Sequence, residues 1–212
     1  MSGPRIVLVG PMGVGKTTVG ALLAERLDTD YRDTDADIVA AEGREISDIF
    51  FDEGERHFRD LEREAVRTAL AEHRGVLALG GGAVLDKDTR ELLADLPVVY
   101  LSMEANEAVR RTGLGLARPL LAINPRQQWK LLMEERRSLY TEVARAVVPT
   151  DERAPEEVAE AVIEALELGA EAVPGPDPST NPTTSGADPS AGAGTAGTAP
   201  GTGTAPGKEN QA

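Results

Sequence analysis

The run Gly10-Pro11-Met12-Gly13-Val14-Gly15-Lys16-Thr17 fits the pattern G-x-x-x-x-G-K-[ST], and those residue types at that spacing are what a phosphate cradle needs. Glycines at 10, 13 and 15 admit turns that a side chain would block. Successive N–H groups can therefore point inward around phosphate oxygens at the positive end of the next helix. Lys16 would supply a fixed positive charge for the β and γ phosphates, and the Thr17 hydroxyl would ligate Mg²⁺.

A second acidic signal follows at Asp33-Thr34-Asp35, where a second strand is expected to end at the same sheet edge. Residues i and i+2 of an extended segment face one way. Asp33 and Asp35 then project together toward the phosphate site, one carboxylate to orient the Mg²⁺ shell and one to accept a hydroxyl proton. With Asp37 nearby, the run also suits an acidic helix N-terminus. Gly80-Gly81-Gly82 follows the apolar run Val76 to Leu79 and exposes bare backbone where ligands of open α/β sheets collect. Arg136 falls on the apolar stripe Trp129, Leu132, Met133, Leu139, Tyr140 and Val143, and Arg59 sits beside Phe58 with Glu62 one turn on. A guanidinium so placed needs a partner, and two aimed into one cleft would clamp a carboxylate; the alternative is that each snorkels at a helix edge. Thr112 to Pro119 is glycine-hinged and carries Arg118, which reads as a lid or as an ordinary surface loop.

Elements that could position these residues are legible in the apolar pattern. Short continuous runs at Ile6 to Val9, Val76 to Leu79, Val98 to Leu101 and, more weakly, Ala146 to Val148 suit strands buried on both faces. Between them, Val19, Leu22, Leu23 and Leu27, and then Phe58, Leu61, Ala65, Val66, Ala69 and Leu70, mark helix faces. The alternation predicts one α/β domain with a parallel sheet over residues 1–169. Residues 170–212 contain no Leu, Ile, Met or aromatic residue, so a disordered Pro/Gly/Thr/Ala-rich tail is expected there.

Composition narrows the chemistry further. The 212 residues carry a formal charge of −14, which disfavours an extended nucleic-acid footprint. Zero cysteine excludes disulfides, thiolate zinc sites and a Cys nucleophile. No run is apolar for the roughly 18 residues a bilayer crossing needs, so a soluble cytoplasmic protein is expected. A phosphate cradle alone does not distinguish a kinase from a hydrolase. There is, however, no N-K-x-D tetrad, no LSGGQ-like signature, and no apolar strand ending in Asp-Glu.

Six motifs in this order and spacing, GPMGVGKTT, DTDADI, IFFDEGERHFRDLE, LALGGGAV, RRTGLGLARPLL and RRSLY, closely resemble those of shikimate kinase over roughly residues 4–168. The family often has Pro where Ser138 stands. The resemblance implies a P-loop three-layer sandwich with a five-stranded parallel sheet of order 2-3-1-4-5, substrate-binding helices and a lid. It implies transfer of the ATP γ-phosphoryl to the 3-hydroxyl of shikimate, with Mg²⁺ as cofactor, by a monomer with no nucleic-acid or membrane partner. Carried over residue by residue, Gly13, Val14, Gly15, Lys16, Thr17 and Thr18 would bind ATP phosphates, and Thr17 and Asp33 would hold the metal. Asp35 would bind the ring hydroxyls and act as base. Arg59 and Arg136 would clamp the carboxylate, the Gly81 backbone would contact the ring, and Phe50, Phe58 and Glu62 would line or brace the pocket. Arg118 would be the lid arginine, and Arg111 and Arg153 adenine contacts. Two other classes stay open: another small-metabolite P-loop kinase, such as a gluconate-type kinase, and a catalytically silent nucleotide binder.

Overall fold

The computed structural model describes residues 3–112 and 125–168, all of which fall in one compact unit, Met1–Ala172. Arg118 with most of its glycine-hinged segment, and the whole of 170–212, lie outside the described residues. Five strands, β1 (Ile6–Val9), β2 (Tyr31–Asp33), β3 (Val76–Ala78), β4 (Val98–Ser102) and β5 (Ala146–Pro149), form one sheet of order β2-β3-β1-β4-β5. Every pairing is parallel: Ile6 opposes Val76, Val7 opposes Val98, Tyr31 opposes Val76 and Val99 opposes Ala146.

The apolar runs are continuous because both sheet faces are covered. All four residues of β1 and all three of β3 are buried. Each Val or Leu so enclosed contributes roughly 1.5–3 kcal/mol relative to exposure. The cover comes from α1 (Lys16–Arg26), α2 (Thr34–Glu42), α3 (Ile46–Glu72), α4 (Lys87–Leu93), α5 (Ala105–Thr112), α6 (Pro125–Val143) and α7 (Pro155–Leu168). Helix α1 packs on α7 and β3, and α5 packs on α6. A second, smaller core of Ile38, Ile49 and Phe58 joins α2 to α3 and supports the ground on which Arg59 stands.

One expectation needs correction. Asp33 and Asp35 do not lie in one extended segment: β2 stops at Asp33, which is the N-cap of α2, and Asp35 lies in the first helical turn. The capping bond wins, because Asp33 Oδ1 accepts from Asp35 N at 3.0 Å and turns the chain at once. Within the span Ile46–Glu72 two helical stretches meet at Gly54, whose φ of 82° is non-helical, so Phe58 and Arg59 stand on the stretch that follows Gly54.

Candidate functional site

In a parallel sheet, loops leaving adjacent strands at their carboxyl ends are neighbours, and the crevice beside a central strand is where ligands collect. β1 and β3 are such neighbours. The loop after β1 runs into α1 through Gly15, whose φ of 99° places it in the left-handed region that a side chain would oppose. Helix α1 has neither a side-chain cap nor an acid in its first turn, so its leading N–H groups, with Lys16, Thr17 and Thr18 at the start, face outward as donors for an anion. The Lys16 ammonium is held over this loop by the carbonyls of Gly10 at 2.8 Å and Pro11 at 3.1 Å. Val14 turns its side chain into the core and so anchors the loop, and Gly13 adopts φ 78° beside it.

Asp33 stands opposite. Its Oδ2 accepts from Thr17 Oγ1 at 3.2 Å and from Tyr31 Oη at 3.0 Å. Burial and then the facing Asp33 carboxylate push the Tyr31 phenol well up, so it stays a donor. A hydroxyl and a carboxylate at this separation are hard oxygen donors of the kind Mg²⁺ takes. Among the described residues no group of three or more His, Cys, Asp or Glu could hold a metal, and Mg²⁺ in phosphoryl-transfer sites needs only one or two protein oxygens beside phosphates and water. The residues present therefore fit the ion.

Asp35 points to a different neighbourhood. A Cβ added at Gly80 would stand 2.5 Å from Asp35 Oδ1 and 2.6 Å from Glu62 Oε1, and one added at Gly82 would run into the Arg59 guanidinium. Gly80 and Gly82 thus lack a side chain where charged groups crowd over them. Gly81 also approaches the phosphate loop, with an added Cβ 3.5 Å from Met12 N. The loop is tied to α2 by Gly80 N donating to the fully buried Thr34 Oγ1 at 3.0 Å.

Glu62 is 3% exposed and pairs with Arg59 Nη1 at 2.6 Å, as the one-turn spacing predicts. Arg59 Nη2 also reaches Glu55 at 2.9 Å, and its guanidinium lies 5.3 Å from the Phe58 ring, which in turn packs on Phe50 with centroids 4.6 Å apart. Burial pushes the Glu62 carboxyl above its usual range, Asp35 adds to that, and Arg59 and Arg136 oppose it. Arg136 is 6% exposed. Its Nη1 donates to the Gly81 carbonyl at 3.1 Å, while its Nε is buried with no hydrogen-bond partner. The snorkelling alternative therefore fails for Arg136, whose planar guanidinium, with Nε unpartnered, has the geometry to hold a two-oxygen anion.

The structure brings Lys16, Thr17, Asp33, Asp35, Arg59, Glu62, Gly81 and Arg136 to the one loop cluster. Arg111 sits elsewhere, anchored beyond β5 by Nη2 to the Thr150 carbonyl at 2.6 Å and by Nε to Glu107 at 2.6 Å. Arg110 and Arg111 pull the Glu107 carboxyl down to about 2. Arg153 lies in the exposed turn between β5 and α7 and makes no hydrogen bond or ion pair with a described residue. Tyr140 was not singled out from the sequence, where it reads as one more apolar position of the α6 stripe. Its Oη donates to the Gly81 carbonyl at 2.6 Å, and its spacing of four from Arg136 was the available signal.

The family model described as shikimate kinase matches residues 12–167. A shikimate kinase of Streptomyces avermitilis is 74% identical over 168 residues, which span 79% of this chain and 98% of that protein. Among solved structures, a shikimate kinase from Acinetobacter baumannii in complex with shikimate superposes with a TM-score of 0.76 at 37% identity, covering 80% of this chain and 96% of that one. A gluconokinase from Sinorhizobium meliloti superposes with a TM-score of 0.50 at 17% identity, a likeness of fold alone, with 79% and 94% covered. A family-model match over most of the chain, with 74% identity along nearly the whole of a relative, means that this chain belongs to the shikimate kinase family.

Proposed function

We propose that this protein transfers the γ-phosphoryl group of ATP to the 3-hydroxyl of shikimate. The observation that carries the reading is the convergence of Asp35, Arg59, Glu62 and Arg136 over Gly80–Gly82, beside the phosphate loop. In this reading the unpaired edge of Arg136, with Arg59 held by Glu62, receives the carboxylate of the acid. Asp35 takes the proton of the attacked hydroxyl as its oxygen bonds to the γ phosphorus, and the bond from that phosphorus to the bridging oxygen of ADP breaks. Gly13 to Thr18 and Lys16 hold the phosphates in place, which confines the reacting atoms to one line. Thr17 directly, and Asp33 through water, would hold Mg²⁺, which when bound neutralises phosphate charge.

Arg118 is proposed to meet the transferring group from the segment outside the described residues, and Arg111 and Arg153 to flank the adenine. The position of both near the end of β5 supports that reading. The working unit in this reading is a monomer. Among the described residues no helix is long and apolar enough to cross a membrane. We place the protein in the cytoplasm because ATP is its co-substrate. The test is ATP consumption with shikimate, with gluconate and with no acceptor. Turnover is expected with shikimate alone; equal turnover with gluconate, or ATP loss independent of acceptor, overturns the reading.

A further inference from the structure

The carbonyl of Gly81 is shared by two buried donors from one helix face: Tyr140 Oη at 2.6 Å and Arg136 Nη1 at 3.1 Å, four residues apart on α6. Tyr140 is fully buried, and its ring stacks on Tyr100 of β4 with centroids 5.0 Å apart. The phenol therefore cannot swing away without breaking the stack. Burial also pushes it up, while the adjacent Arg136 opposes this by its charge and by a side-chain hydrogen bond to the phenol, so Tyr140 remains protonated and donates to Gly81. The Tyr100 hydroxyl, by contrast, makes no hydrogen bond with a described residue, so the stack and the bond to Gly81 can be tested separately.

The bonds to the Gly81 carbonyl are part-buried, and a carbonyl with little water to turn to holds on to whatever donor is available. If Tyr140 were not there, Arg136 would be the only side-chain donor to Gly81 among the described residues. Its guanidinium would be drawn toward that carbonyl by the same N–H groups that an acid substrate needs. With the phenol in place, Arg136 gives only Nη1 to the loop, and the edge carrying the unpartnered Nε is left for a carboxylate.

We infer that Tyr140 is a positioning residue for the acid substrate: by holding the Gly81 carbonyl it fixes the glycine loop against α6 and keeps the Arg136 fork turned toward the carboxylate. The inference rests on the shikimate reading above and deepens it. Tyr140 touches neither nucleotide nor reacting atoms in this account, so its effect is confined to one substrate.

The experiment compares the parent, Tyr140→Phe and Tyr100→Phe in full shikimate and ATP titrations, with melting curves alongside. Tyr140→Phe keeps the ring and the stack and removes only the donor. It is expected to raise the shikimate KM roughly tenfold while the ATP KM and kcat stay within about twofold. Tyr100→Phe is expected to leave both KM values unchanged. Because Tyr140 acts through Arg136, adding Tyr140→Phe to Arg136→Lys should raise the shikimate KM by less than about twofold more. A lower melting temperature with an unchanged shikimate KM would reduce Tyr140 to packing and overturn the inference. So would an equal rise in both KM values, a rise of the same size in Tyr100→Phe, or full additivity with Arg136→Lys. A parent that fails to turn over shikimate would instead overturn the functional reading itself.

Discussion

Replacing Arg59 by Met keeps most of the bulk of the side chain and removes the cation from a carboxylate that has almost no water to turn to. Glu62 is 3% exposed, and its contact with Arg59 is 2.6 Å. Breaking a buried pair by deleting one partner costs about 3–5 kcal/mol, because the remaining charge is left uncompensated. Two features lower that figure here: the Arg59 side chain is 22% exposed, and Arg136 also acts on Glu62. About 2–3 kcal/mol is therefore expected, which for a domain of this size lowers the melting temperature by roughly 4–12 °C. The loss must depend on pH with a definite sign. Glu62 already titrates above the 4.5 of an exposed glutamate, and removing Arg59 drives it higher. A folded state that binds the proton more tightly than the unfolded chain loses stability as pH rises from 4.5 toward the folded value. The deficit of Arg59→Met is thus expected to be large near about pH 8 and to shrink toward about pH 5. Adding Glu62→Gln should recover much of it, since the amide carries no charge. Paired calorimetric melts at the two pH values measure this. A deficit below about 1 °C, or one of equal size at both pH values, would refute the argument that an uncompensated Glu62 charge is the cause.

Other expectations concern single steps. Arg136→Lys should raise the shikimate KM on the order of ten- to a hundredfold and leave ATP binding nearly intact, because an ammonium loses the two-point contact; calorimetric titration with each ligand checks this, and equal losses count against the clamp. Asp35→Asn should keep both KM values within a few-fold and lower kcat by about 10²–10⁴; near-normal turnover would remove Asp35 as base. Arg118→Ala should cost on the order of 10³-fold in kcat with little change in shikimate binding, whereas an exposed loop arginine would cost almost nothing. Deleting residues 170–212 should change the melting temperature by less than about 1 °C and leave activity alone, since that stretch has almost nothing apolar to bury; a fall of several degrees would contradict this.

The parts of this protein that were legible in its sequence are those set by local pattern. The β1 run and the phosphate loop after it fix each other, and α6 spans Pro125–Val143 where the apolar stripe places it. What periodicity could not convey was how polar ends are used. Asp33 and Asp35 diverge because the Asp33 side chain takes the backbone N–H two residues on, a choice that two-residue alternation ignores. Tyr140 counts as apolar in any helical stripe, and its hydroxyl acquires meaning only from a carbonyl 59 residues earlier.

Asp33 is one rigid plane with two tethers. One oxygen caps the helix that carries Asp35, and the other faces Thr17 and Tyr31 at the phosphate side. Neither tether can be readjusted without turning the other. A cation or nucleotide that reorients this carboxylate also tilts the first turn of α2, and with it the group assigned to the acceptor hydroxyl. The two substrates are therefore expected to bind with coupled affinities, which titrating each in the presence and absence of the other measures. Linkage makes the effect mutual: the factor by which nucleotide changes the affinity for the acid is the factor by which the acid changes the affinity for nucleotide.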